Sequence, residues 1–172
     1  LVEMIQRELY ALEDRRERSL RFGALAEIAE FQLAQPQVAI HLYEKMQGAP
    51  GSDVNAFFAL RRLYRAHQRW QELEELLVAR LDHVHDARTL VALHTELAEL
   101  HEWHLEQPSR ALGHYRAALC IDPCESHSLQ AVSRLWLHGP DRPEQIVRWL
   151  EELSIQAEMD GEMLETYRSI IC

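Results

Sequence analysis

The stretch LAEIAEFQLAQPQVAIHLY at residues 25–43 returns as LAELHEWHLEQPSRALGHY at residues 97–115. At a constant offset of 72 positions, nine of nineteen residues are identical: Leu, Ala, Glu, Glu, Leu, Gln, Pro, Ala and Tyr. Unrelated helical segments share about one or two positions over such a length, given ordinary residue frequencies. Ile28/Leu100, Phe31/Trp103 and Ile40/Leu112 are also alike in kind. The chain is internally duplicated, and that decides how each shorter motif within it is read.

The first motif so decided is His101-Glu102-Trp103-His104, which approaches the H-E-x-x-H signature of zinc peptidases. Its histidines sit at i and i+3, whereas the peptidase motif needs i and i+4, a place held here by Leu105. In the other copy the same positions are Ala29 and Gln32, neither of them a ligand. A His94/His101/His104 metal site on one helix face is the sharper alternative; the blander one is that ten histidines in a helical chain pair by accident. Cys120 and Cys124, with His127 three residues on, lack a fourth ligand for a metal site. No metal or other cofactor is expected. No G-x-S-x-G and no phosphate-cradling glycine run occurs, and paired carboxylates such as Glu74-Glu75 and Glu151-Glu152 read as solvated helix surface. The expectation is a chain that is not an enzyme.

Each 72-residue unit divides again. Leu25, Ile28, Ala29, Phe31 and Leu33 suggest a buried helix, and Gln35-Pro36 breaks it. Proline fits the first turn of the following helix, because the N–H it lacks would be unsatisfied there. Ala39, Ile40, Tyr43 and Met46 form the next stripe, ended by GAPGSD at 48–53, with Ser52 or Asp53 as N-cap. Phe57, Leu60, Leu63 and Tyr64, then Leu73, Leu76, Leu77 and Leu81, mark two more helices. No segment alternates with period two. Helices are expected at about 1–12, 18–34, 36–47, 53–66, 70–83, 88–105, 108–120, 125–138, 143–157 and 160–171, all in one array over 1–172. Short loops make them antiparallel hairpins. Residues 1–12 match the last helix of a unit and 160–171 the start of another, so the chain is expected to be a piece of a longer array with exposed ends open to self-association.

Composition agrees with this reading. Apolar residues at 47% and charged residues at 27%, with six glycines and six prolines, describe a folded chain, not a disordered one. A net charge of −10 without a basic block argues against nucleic acid. No apolar run nears the roughly 20 residues needed to span a bilayer, so no membrane insertion is expected. Three cysteines outside any disulfide framework favour a reducing, cytoplasmic setting.

At this point the residues resemble the tetratricopeptide repeat (TPR), a two-helix motif of roughly 34 residues. Ala111, Tyr115, Ala118 and Pro123 stand at its second-helix positions, and Leu97, Ala98 and His101 at its first-helix positions. Leu25, Ala26 and Ala29, then Ala39, Tyr43 and Met46, repeat the scheme. Leu60, Arg61, Tyr64, Leu73, Leu77 and Arg80, and Val132, Ser133, Trp136, Ile146, Leu150 and Leu153, are a more divergent pair. The resemblance implies an all-α, right-handed superhelical solenoid of antiparallel hairpins whose first helices line a concave groove. It implies a protein–protein interaction scaffold that binds a peptide or partner segment.

The groove-facing positions of that scheme are Glu27 and Glu30, Arg62 and Arg65, Glu99 and Glu102, then Arg134 and Leu137. Their sign alternates from hairpin to hairpin. They either read charge on an extended peptide or pair with each other to fix repeat register, in which case each pair is worth about 0–1 kcal/mol. Phe58 and Trp103 are anchors in the groove or else packing between helices. Asn55 is suitably placed for the carboxylate clamp known in the family. The clamp also needs lysines, and the chain's one lysine, Lys45, lies on a second helix, so chaperone-tail binding is not expected. Other readings are a regulatory or substrate-docking region of a larger enzyme, a helical-repeat subunit of an RNA-processing assembly, and a metal-binding module.

Overall fold

The computed structural model describes residues 15–46, 53–137 and Arg148. Among these, every regular element is helical: α1 Arg15–Glu27, α2 Pro36–Met46, α3 Val54–Ala66, α4 Trp70–Leu81, α5 Ala87–Trp103, α6 Pro108–Ile121 and α7 Ser126–Leu137. The expected helices at 1–12, 143–157 (apart from Arg148) and 160–171 lie outside the described residues. The chain divides into two compact units, Leu1–His83 with α1 to α4 and Val84–Cys172 with α5 to α7.

The boundaries follow from local chemistry. Pro36 and Pro108 each open a helix. Asp53 caps α3 by accepting from the N–H groups of Asn55 and Ala56. At the matched position, Glu125 accepts from His127 and Ser128. Asp86 caps α5 by accepting from the Thr89 N–H at 2.9 Å. These carboxylates satisfy donors that the first turn leaves without an intrahelical partner.

The 18–34 segment differs from a plain helix. α1 ends at Glu27 and runs on as a π-helical turn over Ile28–Gln32. Ala34 then takes a left-handed conformation with φ of 51°, and the Gln35 N–H reaches back 2.8 Å to the Ala29 carbonyl. The second copy closes α5 in the same way, with Glu106 at φ of 53° and Gln107 N–H 2.8 Å from the His101 carbonyl.

The buried stripe of α1 is also not the one expected. Phe22, Ala26 and Ala29 are buried, while Ile28, Phe31 and Leu33 are exposed. The spacing i, i+4, i+7 fixes one helix face, and Phe31, two residues past Ala29, points about 200° away from it. In unit 1 the core continues through Ala39, Ile40, Leu42 and Tyr43 of α2 into Leu60, Leu63 and Tyr64 of α3 and Leu73, Leu76 and Leu77 of α4. In unit 2, Ala98, Ala111, Tyr115, Leu119, Leu129, Ala131, Val132 and Trp136 form one cluster. Fully burying each large member contributes about 1.5–3 kcal/mol. Tyr64 and Trp136, matched between the copies, are both buried.

Candidate functional site

In unit 1, α1 and α3 bring four of the expected residues to one open cleft of about 560 Å³: Glu27, Asn55, Phe58 and Arg62. Phe31, Tyr43, Leu20 and Met46 complete much of its apolar wall. Phe58 is 55% exposed and Phe31 69% exposed, so neither ring is spent on packing between helices. The Phe58 ring keeps an edge-on contact with buried Phe57, centroids 5.3 Å apart, which fixes its direction at the cleft.

Glu30 lies behind this wall. Its side chain is only 8% exposed and forms an ion pair with Arg62, which crosses from α3. The Arg62 guanidinium lies over the Phe31 ring, 5.6 Å from its centroid. Burial first, then the Glu30 and Glu27 charges, push the Tyr43 hydroxyl above the ordinary phenol range, so it stays protonated beside them.

Unit 2 repeats the arrangement at an offset of 72. The Glu102 side chain is 7% exposed and pairs with Arg134 at 2.7 Å. Arg134 lies 4.8 Å over the Trp103 ring, and Trp103 is 59% exposed. The Tyr115 hydroxyl donates to Glu102 at 3.0 Å. Burial, and next the Glu102 charge, raise the Tyr115 hydroxyl well above the ordinary range, which keeps it a donor. Glu99 meets His127 Nε2 at 3.1 Å, and the His127 ring packs edge-on against Tyr115 with centroids 6.0 Å apart.

The Glu–Arg rows therefore pair between successive hairpins inside each unit: Glu30 with Arg62, Glu102 with Arg134. What they leave facing outward in each unit is an aromatic ring under a guanidinium, with Glu27 or Glu99 beside it. Such a ring–guanidinium pair contributes about 0.5–1 kcal/mol when exposed. Arg65 is exposed on α3 and does not line the cleft. The Leu137 side chain falls outside the described residues. Sequence reasoning did not put Phe31, Tyr43, Tyr115 and His127 in this face, although the Phe31/Trp103 match was a usable signal for the first.

The histidines fall differently from the His94/His101/His104 grouping. His104 is exposed at the end of α5, and the third ring beside His94 and His101 is His114, from α6. Among the described residues, no three His, Cys, Asp or Glu groups are arranged to hold a metal ion. Cys120 and Cys124 are exposed and not joined in a disulfide, and the nearby His127 is engaged by Glu99. No helix among the described residues is long and apolar enough to cross a membrane.

No protein-family model matches the chain, and no curated protein matches it by sequence. Its fold does match solved structures. It is similar to the crystal structure of MamA with a TM-score of 0.51, over 91% of this chain and 86% of that one, at 14% identity. At that identity the likeness shows the fold alone, and the fold is a TPR-like array of helical hairpins.

Proposed function

We propose that this chain is a non-catalytic protein-interaction module that docks an extended partner segment along the groove side of its first helices. In unit 1 the receiving surface is Phe31 and Phe58 with Glu27, Asn55 and Arg62; in unit 2 it is Trp103 with Glu99 and Arg134. The observation that supports this reading is repetition. Two copies independently hold a large exposed ring beneath an arginine whose position is fixed by a buried carboxylate. Register alone needs the Glu–Arg pair; it does not need an exposed aromatic. Clefts bounded by fixed aromatic and arginine side chains are where binding energy concentrates in interfaces.

The chemistry selects a segment with an apolar side chain to enter between Phe31 and Phe58. A backbone carbonyl or carboxylate on that segment would accept from Arg62. Glu30 and Glu102 act here as positioning residues, holding the arginines and not touching the partner.

Selection of random extended peptides displayed on phage, with the whole chain as bait, tests this. Enriched peptides are expected to bind Phe31→Ala/Phe58→Ala at least about tenfold more weakly, as for loss of one apolar anchor. Arg62→Glu is expected to weaken them further. No enrichment, or equal binding to folded variants, overturns the reading.

A further inference from the structure

We propose that the α5–α6 hairpin is an acid-sensitive device, closed while its His94, His101 and His114 imidazoles are neutral and opened when they take up protons. It is independent of what the groove binds, because it concerns the hairpin itself. At an offset of 72, the same three positions in unit 1 are Phe22, Ala29 and Leu42, all buried. An apolar layer in one copy is thus a layer of three imidazoles in the other.

The geometry shows why protons are unwelcome there. His94 Nδ1 and His114 Nδ1 stand 3.1 Å apart, a distance that accommodates one hydrogen between two nitrogens. Two N–H groups cannot face each other across it. The His101 ring, 1% exposed, stacks on His114 with planes 6° apart and centroids 5.4 Å apart. From α6 itself the charged group acting on His114 is Arg110, a cation; from α5 the groups are His94 and His101. No carboxylate is among them. Between α5 and α7, the contact of Thr95 Oγ1 with Ser128 Oγ at 3.4 Å is uncharged, while the carboxylates Glu99 and Glu102 are engaged by His127 and Arg134. A proton arriving at His114 meets other imidazoles and an arginine.

Burial, and after it the His94, His101 and Arg110 charges, push His114 down from 6.5 to about 4. Burial lowers His94 as well. An imidazole in the opened hairpin returns to its ordinary value, so opening takes up protons. The closed form holds its full advantage above about pH 6.5 and loses it progressively toward pH 4. For each proton taken up, the opening equilibrium rises about tenfold per pH unit. The α1–α2 hairpin carries no titratable group at these three positions and does not share the response.

Amide hydrogen exchange of the whole chain from pH 7 to 4.5, corrected for intrinsic exchange, reads this directly. Protection in α5 and α6 is expected to fall about tenfold per pH unit below 6.5, relative to α1 and α2. The variant His94→Phe/His101→Ala/His114→Leu, which takes its residues from the other copy, is expected to lose that fall. Equal behaviour of the two hairpins, or an unchanged fall in the variant, overturns the inference. If the variant does not fold, imidazole NMR titration of the native chain decides: His114 titrating below pH 5 supports the device, and His114 titrating near 6.5 refutes it.

Discussion

The two copies agree on their outward face and differ in an inner layer. Outside, the carboxylate, arginine, tyrosine and exposed ring recur: Glu30, Arg62, Tyr43 and Phe31 against Glu102, Arg134, Tyr115 and Trp103. Inside, Phe22, Ala29 and Leu42 face His94, His101 and His114 across the duplication. The helix starts at Pro36 and Pro108 and the caps at Asp53 and Glu125 survive that exchange, because they are set by prolines and capping carboxylates. The difference teaches that backbone architecture tolerates polar rings in a half-buried layer when they stack on and hydrogen-bond to one another. A lone one has no such partners.

That last point gives the sharpest way to break the comparison. Ala29→His places a single imidazole in unit 1 without the other two. The expected cost is about 3 kcal/mol, combining overpacking with burial of an unpaired polar group. Urea unfolding followed by circular dichroism measures it, and a cost below about 1 kcal/mol would mean the apolar layer is loosely packed. A smaller effect tests the shared outer set. Tyr115→Phe removes the hydroxyl that donates to Glu102 and is expected to cost about 1.5 kcal/mol, as for a hydrogen bond to a charged acceptor. Tyr43→Phe should cost about as much, and a clear inequality would show that the two sets are not equivalent. The smallest change runs the other way. Ala34→Gly and Glu106→Gly relieve left-handed residues and should each stabilise by about 0.5–1 kcal/mol in thermal melts.

The hairpins were legible because the 72-residue echo placed two prolines, two caps and two apolar stripes in register. The pairing of Glu and Arg rows was legible for the same reason, as one of two readings of the alternating charge. Other features left no local trace. Helices that end in a left-handed residue usually advertise it with glycine, and here Ala34 and Glu106 take that conformation without one. His114 belongs with His94 and His101 through a contact 20 residues apart, invisible to a search along one helix. Phe31 lay within an apolar run that suggested burial. Only the choice of Phe22, Ala26 and Ala29 as the inner face turned it outward.

The buried carboxylates under Arg62 and Arg134 carry a consequence for specificity. Each guanidinium is already neutralised by its own chain, so the arginine part of the proposed docking face presents directed N–H donors and ring surface with little net charge. A partner drawn to it gains little from long-range attraction and is recognised by fit at contact. Its affinity should therefore change little with ionic strength, unlike recognition built on unpaired charge. A face of this kind sorts partners by shape, where a purely charged one would hold many at once.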